Sequence, residues 1–583
     1  MDQSAQDTNQ PARVGGEFFT TPAADPHRRY EALRAYFVQG LTAAQVAQRS
    51  GYSVAAVNSA VRDFRAGRRR FFTPAKPGPR RAPAKDAARD RVLVLRASGH
   101  SIDEISTALA AEGTPLNRTG VAEILTQAGV PRLWRRPEQL RGGPRREQLP
   151  RAETVNFAEL APVSQTRLAG LLLAIPDLVE LDLPGLVRSA GYPGTKVIPA
   201  VSSVLSLLAL KLTTTRRVSH VDDLAADPGS ALFAGLAALP KKSALTSYSY
   251  RLDHAQQRAF LAALDKQMIS AGLAGHDEAV FDLDFHAVMH WGQDPALEKH
   301  YVPTRSQRTR AVLTFFAQDA GTHNLVYANA DISKATQNRE PIAFCDHWRD
   351  VAGADPAMLV MDQKVTTQAI LGELDQRGVK FLTLRMRSTS LTRQINALPT
   401  TAYKTITLGR PGKHNRPRVA EQTGVTLSSY PGTVRQLIVT GLGHEAPTVI
   451  ITNAHHTPTK HLTGRYAHRM TTEQRLAEAI RSFHLDALSG AVNLNIDLDV
   501  VLSVLAHALC AALRRRLPGY ETATPDTLQR RFLHTSGRIL NRNDHIVVQL
   551  NRRTYSPVLR SADLPQHTPV PWWGNRTLSF EYT

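Results

Sequence analysis

The stretch EAVFDLDFHAVMHWG, Glu278 to Gly292, decides how the middle of this 583-residue chain folds. Its side chains alternate, with Val280, Asp282 and Asp284 on one side of an extended chain, which is the period of a β-strand. Two more strand-like runs follow, TRAVLTFFAQD (Thr309–Asp319) and HNLVYANADI (His323–Ile332). They follow at short intervals, which by connection length reads as an antiparallel meander. A helical stretch then leads to AMLVMDQ (Ala357–Gln363), a short apolar strand ending at Asp362. The helix TTQAILGELDQRG and the strand VKFLTLRMR (Val379–Arg387) complete a β-α-β unit.

Three strands followed by alternating helix and strand is the order of an RNase H-like mixed sheet. In that order an acid on the first strand and an acid at the end of the fourth meet at the sheet centre. Paired carboxylates suit hard divalent cations such as Mg²⁺, which prefer oxygen ligands and keep room for water and phosphate oxygens. Two such ions, ~3.5–4 Å apart, can activate an attacking hydroxyl and stabilise a leaving oxygen in phosphoryl transfer. A third acid from a neighbouring helix would complete the set. The interval after Asp362 holds AYKTITLGR, QTGVTLSSY, VRQLIVTGL and PTVIITNAHH, β-type runs separated by Gly/Pro turns. They are expected to form a β-rich insertion domain over 388–453. The chain then returns as RYAHRMTTEQRLAEAI (Arg465–Ile480).

Composition points to a polyanionic partner. The formal charge is +20, and each phosphate neutralised by Lys or Arg releases a counterion and adds affinity. The first 151 residues hold roughly 25 Lys/Arg against 14 Asp/Glu, about half of the whole excess. Two isolated cysteines, Cys345 and Cys510, exclude a disulfide framework or a Cys-type zinc site and read as buried small hydrophobes. The polar start MDQSAQDTNQ argues against a signal peptide. The apolar runs Val197–Leu210 and Val500–Leu513 are shorter than the ~20 residues of a membrane span. The expectation is a soluble, cytoplasmic, nucleoid-associated protein with no membrane partner.

The N-terminal third carries the pattern of DNA-reading modules. LTAAQVAQRSGYSVAAVNSAVRDFRAG (Leu41–Gly67) has a small residue, Ala47, where two helices cross, and Gly51 at the turn. Ser53 is positioned to cap the second helix, with Val57, Val61 and Phe64 inward. Asn58, Ser59, Arg62 and Arg65 lie outward, the composition of a recognition helix in a major groove. The layout repeats in the next segment, where Ser101 opens a capping-box pattern, Asn117 or Thr119 caps the following helix, and Val121, Ile124 and Leu125 point inward. Between the modules runs GRRRFFTPAKPGPRRAPAK (Gly67–Lys85), a Pro/Arg-rich arm expected to be non-helical, whose Arg68, Arg69 and Arg70 suit phosphates.

On these residues the chain resembles bacterial insertion-sequence DDE transposases of the group marked by a Tyr-x2-Arg-x3-Glu-x6-Lys signature. Tyr466, Arg469 and Glu473 match it in identity and spacing, while Ile480 stands at the lysine position with Arg481 next to it. LDFHAVMHWG with LEKHYVPTRSQR, and VMDQKVTT, are similar to the first and second acidic motifs. The resemblance covers about residues 240–515. It implies that Asp284, Asp362 and Glu473 hold two Mg²⁺ ions, with Mn²⁺ as a substitute. It also implies that Tyr466 and Arg469 contact DNA phosphates, with Arg481 a candidate for the missing lysine's contact. Asp282 and Asp284 share a face, and Asp284 is favoured because the family's first acid precedes a short turn like FHAV. Asp362 could also be a helix N-cap, and Glu473 could pair with Arg469 at i, i+4. A capping box from Thr471 to Gln474 would put Glu473 in the first turn of its helix, where the dipole favours the ionised form. The histidines His455, His456, His461 and His468 are irregularly spaced and read as loop or phosphate-contacting residues. Asp497 and Asp499 in NIDLD read as caps of an apolar helix.

The expected organisation is a disordered tail (1–26), a helix-turn-helix module (27–70), a basic linker (71–85), a second module (86–136) and a second linker (137–151). A helical region without chemistry (152–275) follows. The first part of the catalytic core (276–387), the insertion (388–453), the second part of the core with the glutamate helix (454–517) and a C-terminal region (518–583) complete the chain. The expected activity is cut-and-paste transposition on double-stranded DNA, at transposon ends and target, by a homodimer. The rivals are a catalytically silent DNA-binding descendant and a metal-dependent nuclease without strand transfer.

Overall fold

The computed structural model describes residues 22, 24–68, 71, 83–131, 133, 150–275, 279–289, 297–302, 307–362, 364–409, 415–442, 446–485 and 493–582. Within 470–475 it describes the backbone alone. The tail up to 21, Arg69, Arg70 and most of both linkers therefore lie outside the described residues. The chain divides into two compact units, Met1–Arg145 and Arg146–Thr583.

The first unit contains two sets of three helices. Asp25–Phe37, Ala43–Ser50 and Val54–Arg65 form the first. Thr42 and Gln45 close a capping box on the second helix, Gly51 takes the left-handed turn at φ 70°, and Ser53 caps the third helix through the Ala56 amide. Ala47, Val57 and Val61 are buried as their spacing predicts. Phe64 is not: it is 43% exposed and rests on the rims of Phe37 and Phe71. At three residues beyond Val61 it has rotated past the buried stripe, and its neighbours are other half-exposed rings. The second set is Pro83–Ala97, Ile102–Ala111 and Arg118–Gln127. Ser101 and Glu104 form the capping box, Asn117 rather than Thr119 caps the last helix, and Val121, Ile124 and Leu125 are buried. The arm expected to be non-helical gives up its end to this set. Pro83 starts a helix because its missing N–H is one the first turn leaves unpaired anyway.

The second unit is built on two sheets. Its first strand, β1 (Val163–Thr166), precedes a run of helices that includes Ala200–Leu212 and His254–Ser270. The central sheet then forms from β2 (Val280–Met289), β3 (Lys299–Val302), β4 (Gln307–Asp319), β5 (Leu325–Ile332), β6 (Met358–Met361) and β7 (Lys380–Leu384). β2 pairs antiparallel with β4, and β4 with β5, while β6 runs parallel to β2 and β7 parallel to β6. The spatial order is β5-β4-β2-β6-β7, so β2 lies at the centre.

The β-rich segment over 388–453 does not make a sheet of its own. β8 (Tyr403–Thr405), β9 (Arg418–Thr426), β10 (Thr433–Thr440) and β11 (Thr448–Thr452) extend the central sheet, joined through β11 antiparallel to β7. The reason is that β7 would otherwise be an apolar edge, and strand edges are covered or paired. Beyond this lie two long helices, Thr459–Ser482 and Asn493–Arg516. The last strands, β12 (Gly537–Arg542), β13 (His545–Leu550), β14 (Thr568–Val570) and β15 (Arg576–Tyr582), form the second sheet with β1 at its edge. The terminal aromatics anchor it: Trp573 is buried, 6.1 Å from the Phe157 ring.

Ile496–Arg516 is long and apolar enough to cross a membrane, but 89% of its most apolar window is buried inside the fold. It is a core helix. Asp497 and Asp499 are not its caps: Asp497 receives His254 at 2.6 Å, and Asp499 receives Lys211 at 2.6 Å. The helix begins at Asn493, so both carboxylates face inward from its first turns and need partners. Cys345 and Cys510 are free and buried.

Candidate active site

The site forms where the Thr459–Ser482 helix packs across β2, β7 and β10. Its approach is set by Arg435, a buried residue of β10. One guanidinium nitrogen donates to the carbonyls of Ala454, His455 and Thr457 at 2.8, 3.1 and 2.6 Å, and the other to Thr459 Oγ1 at 3.0 Å. The turn into the helix is thus wrapped around one side chain of the segment expected to be an insertion. The helix begins at Thr459, not at Thr471, so the TTEQ capping box is not used. Thr471 and Glu473 lie in the middle of a 24-residue helix, and the macrodipole argument for Glu473 falls away.

Along β2 and this helix two ion pairs stand as rungs. Arg465 reaches Asp282 at 3.0 Å, with the side chains 19% and 5% exposed. Arg469 reaches Asp284 at 3.5 Å, with the side chains 4% and 33% exposed. Two residues of strand advance ~6.7 Å and four residues of helix ~6 Å, so the spacings match. Asp284 also accepts a 2.9 Å hydrogen bond from the Phe285 amide.

The parallel register of β2 on β6 places the first of the two aspartates. Asp282 is paired with the buried Val360, and Leu283 with Met361. The ladder ends there, and Asp284 and Asp362 each follow its last pair by one residue, so both acids lie at the same end of the two neighbouring strands. Asp362 is half-buried at the end of β6. Glu473 follows Arg465 and Arg469 at the same four-residue step, so its backbone lies on the stripe turned to β2.

The remaining candidates fall at different depths. Tyr466 is half-buried against the apolar layer of Met358, Val360, Leu382, Leu437 and Leu462. Ile480 is buried in the main core, whereas Arg481 is exposed, its Nε donating to the Ala477 carbonyl at 3.2 Å. His455, His456, His461 and His468 are all exposed. In the N-terminal unit Asn58, Arg62, Arg65 and Arg68 are exposed and Ser59 is half-buried, with Arg62 bonded to Ser59 at 3.1 Å. Arg465 and Arg435 were missed by sequence reasoning. Arg465 had a signal, its four-residue step from Arg469 matching the two-residue step of the aspartates.

Residues 203–563 match the family described as transposase DDE domain group 1, more than half of the chain. The chain belongs to the DDE transposase family. No curated protein sequence matches it. Membership in a transposase family brings DNA as the partner and divalent metal ions as the usual cofactor. The donors of this DDE transposase suit such an ion. The carboxylates of Asp284 and Asp362 are hard oxygen donors of the kind such an ion takes, and both are partly exposed. Among the described residues no three His, Cys, Asp or Glu side chains gather into a metal cluster, and the Glu473 side chain lies outside them.

Proposed function

We propose that this chain is a cut-and-paste transposase of an insertion sequence. Its catalytic core is RNase H-like, a reading supported by the order β5-β4-β2-β6-β7 with an antiparallel first half and parallel β6 and β7. Asp284, Asp362 and Glu473 hold two Mg²⁺ ions, with Mn²⁺ as a substitute. When bound, such ions activate the attacking hydroxyl and stabilise the leaving oxygen. A phosphodiester at the element end is hydrolysed, and the freed 3′-hydroxyl then attacks a phosphodiester of target DNA.

The chain's own residues orient the substrate. Arg469, Tyr466 and Arg481 take phosphates beside the cut. Asn58, Ser59, Arg62 and Arg65 read bases of the terminal repeats from a helix-turn-helix, and Arg68, Arg69 and Arg70 hold the adjoining backbone. The active assembly is a homodimer on two DNA ends. The observation that supports the reading is that Asp284 and Asp362 each follow the last β2/β6 pair, with the Thr459–Ser482 helix packed across β2.

The test is the purified full chain with element-end DNA and Mg²⁺, against Asp362→Asn and Glu473→Gln. Cleavage and joining by the wild type, lost in both variants, is expected. Binding without nicking would mean a catalytically silent DNA-binding protein, and cleavage without joined product a nuclease.

A further inference from the structure

The two rungs between β2 and the Thr459–Ser482 helix differ in a way that assigns them different work. The inner rung, Asp282 with Arg465, is short and mostly buried; the outer rung, Asp284 with Arg469, is longer and its carboxylate is one-third exposed. We propose that Arg465 and Asp282 are positioning residues: their ion pair pins the axial and rotational register of the helix on β2, so that the backbone of Glu473 comes one helix turn beyond the level of Asp284, on the same stripe. The inference rests on the reading of Asp284 as a metal ligand.

The physical case begins with what apolar packing leaves undecided. Arg435 fixes the turn at the start of the helix, but beyond it the buried residues Leu462, Leu476 and Ile480 are smooth side chains that tolerate small slides and rotations. A buried charge does not tolerate it, because a shift that parts Arg465 from Asp282 strands both ions in a poorly solvated place. Buried ion pairs contribute little net stability and are better suited to fixing one arrangement among several of similar packing energy. A shift of one residue on the helix would turn Arg465 by ~100° away from the strand. One residue on the strand would send Asp282 and Asp284 to the other face together. The pin therefore has one setting, and in that setting the stripe Arg465, Arg469, Glu473 runs in step with Asp282, Asp284 and the strand beyond. The looser outer rung is left able to open.

The experiment separates register from stability. Arg465→Met alone strands a buried carboxylate and is expected to lower the melting temperature. The paired replacement Asp282→Leu with Arg465→Met removes both charges, leaves the local net charge unchanged and keeps the volume apolar. Full-length double variant is compared with wild type for thermal midpoint, for Mn²⁺ affinity by electron paramagnetic resonance without DNA, and for end cleavage. The expected result is a wild-type midpoint with Mn²⁺ bound about tenfold or more weakly. Arg465→Lys, which keeps the charge, should recover part of that affinity. Wild-type Mn²⁺ affinity in the double variant would overturn the proposal, and so would a midpoint well below wild type, since the pair would then act through stability. Asp284→Asn is the control: if it binds Mn²⁺ as wild type does, the metal-site reading itself fails, whatever the pair does.

Discussion

Lys211 Nζ lies 2.6 Å from Asp499 Oδ1 and 2.9 Å from the Phe483 carbonyl, joining two helices and the turn that follows a third. Burial pulls the lysine's pKa down and pushes the aspartate's up, each opposed by the partner's charge. The segment that holds Lys211 had shown no chemistry in sequence, and its work is to neutralise a carboxylate carried by the core helix.

Lys211→Met should therefore cost about 3–5 kcal/mol, because it leaves Asp499 in place without its cation. The Phe483 carbonyl, just past the end of the Thr459–Ser482 helix, loses its donor in the same step. Urea unfolding measures the first effect. Faster amide exchange confined to residues around Phe483 and Leu485 measures the second; a loss spread evenly over the fold would contradict it.

Glu340 gives a pH dependence with a definite sign. Burial raises its pKa to about 7, against a 3.0 Å hydrogen bond from Asn329 that lowers it. A carboxyl raised in the folded state stabilises while it is neutral. Its contribution is complete below about pH 4.5 and is lost as pH rises through about 7. Glu340→Gln should flatten the stability profile across that window, a change on the order of 2–3 kcal/mol in the difference from wild type. Chemical denaturation at pH 5 and pH 8 decides it, and an unchanged slope counts against the assignment.

The strands that carry the candidate site were legible because they rest on local periods. The alternation at Val280, Asp282 and Asp284 gave the strand and its face, and the apolar run ending at Asp362 gave the neighbouring strand. What local pattern cannot supply is pairing between distant segments. Nothing in VRQLIVTGL says that β10 and β11 extend the sheet from β7, or that Arg435 holds the turn before the site helix. The edge pairing of β1 with β12 is equally non-local. The TTEQ box failed for a related reason: a good capping sequence is a weak preference, and a helix already started at Thr459 and packed over three strands overrides it. Asp282 and Asp284 were inseparable by spacing; the structure shows Asp282 within the ladder opposite Val360 and Asp284 just past its end, a difference of pairing that spacing cannot carry.

Gly170 marks where the helical layer meets the second sheet. Its amide donates to the Thr535 carbonyl at 2.8 Å, and a Cβ there would overlap the Phe532 carbonyl oxygen. Since the obstacle is backbone, it cannot swing aside. Gly170→Ala should lower stability by about 1–3 kcal/mol or more. The thermal midpoint and soluble yield report it, and a variant as stable as wild type would mean that the contact relaxes freely.

The proposed DNA-reading helix separates two kinds of contact. Asn58→Ala and Arg62→Ala should each cost about 1–3 kcal/mol on element-end DNA and little on unrelated DNA. Arg68→Ala should weaken both alike and reduce the salt slope of binding by about one. Titrations of the full chain at several salt concentrations distinguish the patterns. Equal losses on both DNAs for Asn58→Ala would remove the base-reading role.

Ile480 stands where the resembling transposases carry lysine, so restoring that lysine looks like a repair. The structure argues the reverse. Ile480 is buried in the main core beside Leu476 and Phe483, and the exposed cation at that end of the helix is Arg481. Ile480→Lys would bury an ammonium with no counter-charge provided and should destabilise by several kcal/mol, on the order of 3 or more. Arg481→Ala should leave the melting temperature within about 0.5 kcal/mol of wild type, as exposed substitutions do, and weaken binding to cleaved element-end DNA. The opposite pair of results, a stable Ile480→Lys with tighter DNA binding and a silent Arg481→Ala, would return the phosphate contact to position 480.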